Sequence, residues 1–185
     1  NDKRVELFSK DLGKCTLLAK FAGNSKKRFG GRLEPTNYVQ FVLRSGKSFY
    51  YIEQCDIIDS FISIRTDLNK IYLASFLFDI IRKVTVSHQH NDPLFNLLHS
   101  SLVKLNKGDC LIDIKTYFYV NFLITEGLLS SADTQTISDH HFKVYFEDYT
   151  GKRLIIPDAL KRTTPQNTKI KPLSQLDEEK EALIH

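Results

Sequence analysis

The sequence predicts an α+β protein in which a small β-barrel is followed by an α-helical bundle. Apolar and polar residues alternate at strand spacing from Lys3 to about Asp59, with short turns between the runs. Near Ser60 the period changes, and apolar residues then recur at helical spacing. Several short strands joined by turns, with no helix between most of them, are typical of a small barrel. We therefore expect a barrel over residues 1–60 and a helical domain over residues 61–129.

Four strands are expected in the first region. The segments Asp11–Lys14 and Arg44–Ser48 each contain a glycine among polar residues and are expected to be turns. Aromatic side chains alternate along the later strands, so half of them belong to the core and the others lie on an exposed sheet face. The expected strands are Arg4–Phe8, Cys15–Phe21, Tyr38–Leu43 and Phe49–Cys55.

Three helices are expected in the second region. Thr66 or Asp67 can cap the first helix, and Asn91–Pro93 starts the second, because a capping side chain precedes a proline in the first turn. The third helix follows Lys107–Asp109 and is apolar on most sides, which predicts a central place in the bundle. The main expected core positions are Leu73, Phe76, Leu77, Ile80, Ile81 and Val84, then Leu94, Leu97, Leu98, Leu102 and Leu105, then Leu111, Ile114, Phe118 and Phe122.

Beyond the third helix the periodic signal weakens. Apolar and polar residues alternate from His141 to Tyr149, and Thr150–Lys152 has the composition of a turn. A hairpin completed by Arg153–Ile156 is therefore expected. Residues 161–176 are polar, hold two prolines and are expected to form a linker. Residues 176–185 are expected to begin a further helix.

The stretch Lys14–Leu33 carries six basic residues and no acidic one, whereas the 185-residue chain has a net charge of only +4. Its loop contains glycines, which let the backbone approach a ligand closely, and an aromatic ring on which a base can stack. Lysine and arginine side chains neutralise phosphates. We predict a nucleic-acid interface here, the alternative being a solvated hairpin tip that keeps a sheet edge soluble. The predicted phosphate contacts are Lys14, Lys20, Lys26, Lys27, Arg28 and Arg32, and the predicted stacking residues are Phe29 and Tyr38.

Other residue patterns argue against other classes of protein. Cys15, Cys55 and Cys110 lie among apolar residues and form no CxxC pair, so we expect buried thiols in a reducing cytoplasm. The sequence contains neither a signal peptide nor an apolar run long enough to cross a membrane. Because the chain starts at Asn1 and contains no methionine, it is expected to be a fragment of a longer product.

The histidines leave open an alternative from another class, a metal-dependent hydrolase. His88 and His90 form one candidate pair, and His140 and His141 form another. Zinc ligands must converge, and histidines this close together in loops rarely supply a site unaided. We therefore predict no metal and no other cofactor. Without a GxSxG-type motif, a serine nucleophile is not indicated either.

Five segments, taken in order, match the pattern of one known protein family. The most specific is Ala19–Lys20 with Ser25–Pro35, which is similar to AKGARRPKSRFGGALQP in that family. The other segments are Glu6–Lys14, similar to the second barrel strand and its T-x-x-x-G turn; Ala74–Ser75 with Leu77, at the place of YASYLLEL; Asn91–Leu98, similar to DPRLFDLLL; and Phe118–Leu128, similar to FELRLLRLLGL. Over about residues 4–129 the chain thus resembles the RecO family of bacterial recombinational repair proteins.

This resemblance implies an N-terminal OB-fold barrel, whose first strand would precede Asn1, and a helical domain after it. It implies binding of single- and double-stranded DNA and annealing of complementary strands, without covalent catalysis. The implied partners are RecR and the acidic, hydrophobic C-terminal tail of single-strand-binding protein, so that RecA can load. Such a tail needs an apolar pocket with a basic rim, for which Arg82 and Lys115 are the predicted residues.

One region departs from the family pattern. Many members carry a four-cysteine zinc module after the third helix, whereas residues 130–160 contain no cysteine. The spacing of Asp139–His141 does not replace it. We therefore expect residues 130–185 to hold a lost or degenerate module. The alternative to a recombination mediator is a stand-alone OB-fold nucleic-acid-binding module.

Overall fold

The computed structural model describes residues 2–22, 29–47, 49–131 and 137–161. The strands are β1 (Lys3–Ser9), β2 (Gly13–Ala19), β3 (Tyr38–Ser45) and β4 (Tyr50–Asp59). The helices are α1 (Ile62–Arg65), α2 (Leu68–Val84), α3 (Asp92–Lys107), α4 (Leu111–Thr125), α5 (Asp139–Thr150) and α6 (Asp158–Lys161).

The chain divides into two compact units. The sheet unit consists of Asn1–Ile62 together with Thr85–Asn91. The helical unit consists of Ser63–Val84 and Asp92–His185. The sheet unit is therefore discontinuous in sequence, because a segment between α2 and α3 returns to it.

The sheet unit contains a four-stranded mixed sheet in the order β1-β2-β4-β3. The outer pairs are antiparallel, whereas β2 and β4 are parallel, with Leu17 and Leu18 opposite Tyr50 and Tyr51. The four predicted strands are confirmed, with bounds that shift by a few residues. The largest shifts are that β2 ends at Ala19, before the expected end, and that β4 runs further.

The core of the sheet unit lies on one face of the sheet. Along β2, every second side chain is buried, which is the period of a strand with one face covered. We call the opposite, solvated face the outer face. The core consists of Cys15, Leu17, Ala19, Phe29, Ile52 and Cys55, with Val5, Leu7, Leu12, Ala22, Leu33, Val39, Phe41 and Leu43 packed against it.

The returning segment Thr85–Asn91 joins the sheet beside β2. The His88 amide donates a hydrogen bond to the carbonyl of Lys14, at 2.9 Å. Gly13 has a φ of +64°, and a Cβ there would lie 1.9 Å from the carbonyl oxygen of Gln89. Only glycine fits a position with both constraints. The glycine of the predicted first turn therefore also makes room for the returning segment.

The three predicted helices of the helical unit are confirmed as α2, α3 and α4. A carboxylate oxygen of Asp67 accepts the amide of Asn69 at 2.8 Å, as expected for the cap of α2. The predicted leucine stripe of α3 is buried. Every residue of α4 from Ile114 to Leu123 is buried, which confirms the central place predicted for this helix.

The predicted hairpin over His141–Tyr149 is wrong, because these residues belong to the helix α5. Phe142 and Phe146 are fully buried, whereas Val144 is exposed. Aromatic residues at positions i and i+4 share a helix face, and the ring of Phe122 in α4 meets that of Phe142 edge-on at 5.6 Å. Packing on α4 thus selects the helix over the strand.

Both ends of α5 carry local signals that support the helix. The Ser138 hydroxyl accepts the amide of His141, and Gly151 closes the helix in the left-handed conformation. Residues 153–157, which follow it, form no strand. The predicted linker and final helix lie outside the described residues, except for Lys161.

Two of the three thiols are buried as predicted. Burial raises the pKa of the Cys15 and Cys55 thiols. The prediction of burial is wrong for Cys110, which is exposed because it lies just before α4 as its N-cap residue. None of the helices in the described ranges combines the length and apolar character needed to cross a bilayer.

Candidate nucleic-acid interface

The outer face of the sheet collects side chains from all four strands. Since Cys15 and Leu17 point into the core, their neighbours in β2 point outward. Directly paired residues share a face, so Arg4 lies beside Leu18, and Arg44 beside Tyr51. The outer face thus carries Arg4, Glu6, Lys14, Thr16, Leu18, Lys20, Val42, Arg44 and Tyr51.

Two cations on this face meet one aromatic ring. The Lys20 ammonium lies 4.5 Å from the centroid of the Tyr51 ring. The Arg44 guanidinium carbon lies 5.6 Å from the same centroid. At these distances the ring quadrupole attracts both charges.

The loop that follows β2, residues 22–31, is called the basic loop, and it is anchored near both ends. Ala22 packs against the sheet core at its start, and Phe29, only 3% exposed, is part of that core near its end. The predicted phosphate contacts Lys26, Lys27 and Arg28 lie outside the described residues. The described residues on either side of them, Ala22 and Phe29, pack in the sheet unit.

The prediction that Phe29 offers a stacking surface is wrong, because its ring is buried. Phe21 is instead 61% exposed at the start of the loop. Strand alternation would direct Phe21 into the core, but its φ of 60° turns it outward. Its amide donates to a carboxylate oxygen of Asp2 at 3.0 Å. The sequence signal for this turn was the Ala-Gly pair that follows Phe21.

The segment that leads from the basic loop back to β3 runs along the core side of the sheet. Leu33 packs against the core, and the neighbouring Arg32 lies close enough to Cys55 for its charge to oppose the burial that raises that thiol pKa. The Asn37 side-chain amide donates to the Arg32 carbonyl at 3.0 Å, which holds this return in place. Tyr38 is half-buried at the start of β3. Arg32 therefore lies on the opposite side of the sheet from Lys14 and Lys20.

The two cations predicted to bind a partner lie in very different environments. Arg82 is exposed on α2 and pairs with Asp79 at 2.9 Å. Lys115 is only 5% exposed, and its ammonium donates to Asp139 at 2.9 Å and to the carbonyl of Leu160 at 2.7 Å. The prediction that Lys115 belongs to an exposed basic rim is therefore wrong. Its charge is paired with that of Asp139 inside the helical unit.

Tyr119 completes this buried group. Its hydroxyl donates to Asp139 at 3.0 Å. Burial raises the pKa of the Tyr119 phenol, and the negative charge of Asp139 raises it further, so the phenol remains a donor. The group joins α4, the start of α5 and α6, which explains why a lysine is retained among apolar residues.

A solvent-open groove of about 370 Å³ lies at the C-terminal end of the helical unit. We call it the C-terminal groove. Three of its side chains are basic, and Ile155, which is 67% exposed, adds an apolar surface. Its lining residues are Asp139, His140, Lys143, Arg153, Leu154, Ile155, Ile156 and Lys161.

The histidines predicted as possible metal ligands lie on separate elements. His140 and His141 are neighbours on α5, whereas the ring of His88 lies 6.4 Å from that of Tyr50 in the sheet unit. No group of three or more potential ligands comes together within the part of the chain that the structure describes.

Comparison with known proteins decides the family. The family model for the N-terminal domain of recombination protein O matches residues 1–61. The chain is 35% identical over 127 residues to the DNA repair protein RecO of Acetivibrio thermocellus, which covers 68% of this chain and 51% of the relative. It is 34% identical over 135 residues to that of Geobacter metallireducens, covering 72% and 54%. The chain belongs to the RecO family.

The matching relatives are DNA repair proteins, and the matching family model is that of the N-terminal domain of a recombination protein. The chain spans about half the length of the curated relatives it matches. The matched residues 1–61 contain the whole four-stranded sheet and the basic loop.

Proposed function

We propose that the sheet unit is an OB-fold module that binds DNA through its outer face and the basic loop. The supporting observation is that Lys14 and Lys20 lie on the solvated outer face, within the region matched by the RecO family model, which also contains the basic loop. OB-folds bind nucleic acid on an open sheet face and its loops. Residues 1–60 would be the OB domain, 61–129 the helical domain and 130–185 the region in place of the zinc module.

Contacts of this kind suit a protein that acts on any strand. Lysine and arginine contacts to phosphates give affinity without sequence preference. An exposed aromatic ring such as that of Phe21 adds base stacking, which every base permits. We propose that both single- and double-stranded DNA bind here. Annealing of complementary strands follows if two strands are held with their charges neutralised.

The test is the salt dependence of binding to a labelled single strand, measured by fluorescence anisotropy. Each phosphate contact contributes about −0.7 to the slope of log K against log salt. The Lys26/Lys27/Arg28→Ala triple variant should therefore make this negative slope shallower by about two units. A matched variant, Arg82/Lys104/Lys107→Ala, removes three charges from the helical unit and should leave the slope unchanged. Equal slopes for all three proteins would reject the basic loop as the DNA site.

We further propose that the C-terminal groove receives the acidic, hydrophobic tail of single-strand-binding protein. Lys143, Arg153 and Lys161 offer positive charge to its carboxylates, and Ile155 offers an apolar contact. A carboxylate bound to arginine gains charge-assisted hydrogen bonds. This partner distinguishes a mediator, which helps RecA to load, from a stand-alone DNA-binding module.

A labelled tail peptide tests this assignment directly. Arg153→Glu should weaken peptide binding at least about tenfold, because repulsion replaces attraction at the groove. Arg82→Glu makes the same change of charge on α2 and should have little effect. If Arg82→Glu were the damaging variant, the groove would be the wrong site. DNA binding without any peptide binding would favour the stand-alone module.

RecR is the second partner that we propose, together with a bacterial cytoplasmic setting. Both proposals rest on membership of the RecO family. Co-elution of the purified chain with RecR in gel filtration is the expected result. Separate elution at micromolar concentrations would contradict it.

A further inference from the structure

The ring of Tyr51 is held in a defined place on the outer face. A Cβ added to Gly46, in the turn between β3 and β4, would lie 2.4 Å from the Cε2 atom of Tyr51. The absence of a side chain at Gly46 therefore lets the ring pack against the turn. Tyr51 pairs with Arg44 on β3 and with Leu18 on β2, so its ring lies between the two neighbouring strands.

This ring organises two cations that come from opposite sides of β4. Lys20 follows β2, whereas Arg44 belongs to β3. Both lie within reach of the ring face, at 4.5 Å and 5.6 Å from its centroid. A cation–π contact restricts a long flexible side chain and leaves its charge available to an anion.

Arg44 has a second partner, Glu53. The Nε atom of Arg44 lies 3.1 Å from a carboxylate oxygen of Glu53, and both side chains are exposed. Exposed ion pairs contribute little to stability because solvent screens them. Arg44 can therefore exchange this carboxylate for a phosphate, which it binds with the same fork of donors.

We propose that Tyr51 positions Lys20 and Arg44 as a two-cation clamp for the nucleic-acid backbone, and that Glu53 is the carboxylate that a phosphate displaces from Arg44. The clamp deepens the proposed DNA-binding function and rests on it. It adds a site on the strands themselves, separate from the basic loop. Tyr51 acts as a positioning residue, and Glu53 lowers the affinity by competing with DNA.

Two variants test the positioning role of Tyr51 in the same anisotropy assay. Tyr51→Leu removes the ring and keeps every charge, and it should weaken binding about three- to tenfold, as expected for the loss of one ordered cation pair. Tyr51→Phe keeps the ring and should retain wild-type binding. Equal loss in both variants would assign the effect to the hydroxyl and overturn the clamp.

The competition by Glu53 requires a charge-matched control. Glu53→Gln should raise the affinity about three- to fivefold, because Arg44 is then free for a phosphate. Asp11→Asn makes the same change of net charge at an exposed turn of the sheet unit and should change the affinity by less than about twofold, since screening limits distant charges. Equal gains in both variants would show a net-charge effect and overturn the competition.

Failure of the clamp differs from failure of the proposed function. Arg44→Ala should make the negative slope of log K against log salt shallower by about 0.7, which corresponds to the loss of one phosphate contact. If wild type binds DNA and the triple loop variant weakens binding, but Arg44→Ala leaves the slope unchanged, the clamp is wrong and the function stands. If wild type does not bind DNA at all, the proposed function itself is wrong.

Discussion

The two units of the chain use charge in opposite ways. In the sheet unit, the core occupies one face and leaves Lys20 and Arg44 on a solvated face around an aromatic ring. In the helical unit, α4 is buried on all sides, and Lys115 is satisfied internally by Asp139. A lysine in a conspicuous sequence position is therefore a site candidate in the first unit and a structural group in the second.

The difference follows from the packing of each kind of element. A single sheet covered on one side keeps half of its side chains hydrated. A central helix has no such face, so any cation on it must be paired to avoid the cost of burial. Cations that remain hydrated are available to phosphates, and cations that are paired inside the protein are not.

The largest effect is expected when the buried lysine loses its partner. Asp139→Ala leaves the Lys115 ammonium without its carboxylate and should lower the free energy of unfolding by about 3–5 kcal/mol. Urea unfolding measures this loss. Asp158→Ala breaks the exposed pair with Lys161 and should cost less than about 1 kcal/mol. Similar losses for both pairs would show that Lys115 is not the structural cation described here.

The next largest effect is expected at Gly13, where the returning segment meets the sheet. Gly13→Ala adds a Cβ that clashes with the backbone of Gln89, and we expect a loss of about 2–4 kcal/mol with faster hydrogen exchange at the His88 amide. Gly31→Ala has a similar positive φ but no atom within 4 Å, so it should cost only about 1 kcal/mol. Equal costs would mean that the returning segment does not constrain Gly13.

A smaller effect is expected from the exposed side of the helical unit. Burial acts to raise the pKa of Asp79, but hydrogen bonds from Lys83 and Arg82 outweigh it and lower the pKa below its ordinary value. A carboxyl with a lowered folded-state pKa stabilises the protein above its unfolded-state pKa, and this contribution disappears as the pH falls through the folded-state pKa.

Asp79→Asn should therefore cost under about 1 kcal/mol at pH 7, and this cost should shrink as the pH falls below about 4, near the unfolded-state pKa of an aspartate. Urea unfolding of both proteins across this range measures the difference. A loss that stays constant down to pH 3 would contradict an electrostatic origin. This variant measures how much a hydrated ion pair contributes to the free energy of unfolding in the same unit that contains the buried Lys115–Asp139 pair.

The sequence predicted the elements whose signal is local. The four strands and helices α2 to α4 carry their periods in consecutive residues, and the Asn91–Pro93 start was sufficient to predict the beginning of α3. The segment containing Phe142, Val144 and Phe146 was misassigned, because that spacing fits a strand and also leaves two residues on one helix face. Contact with α4 decides between the two periods.

The features that the sequence did not predict depend on contacts between distant residues. Lys115 meets a carboxylate 24 residues away, and Gly13 meets Gln89, which neither local pattern indicates. Phe29 is buried although a stacking role was predicted for it, and the exposed ring is that of Phe21, which a positive φ turns away from the core. The residue types of the basic segment predict phosphate binding, and only the fold shows that Lys20 lies on the outer face and Arg32 on the core side of the sheet.

DNA binding by the outer face can be tested directly by NMR. A short single-stranded oligonucleotide is added to the isotope-labelled chain, and the changes in backbone amide shifts are mapped. We expect the largest changes on the outer face and at the start of the basic loop, at Thr16, Leu18, Lys20, Phe21 and Arg44, with small changes along α4. This result would support DNA binding by the sheet unit. Changes confined to α2, α3 and α4, with none on the outer face, would contradict it.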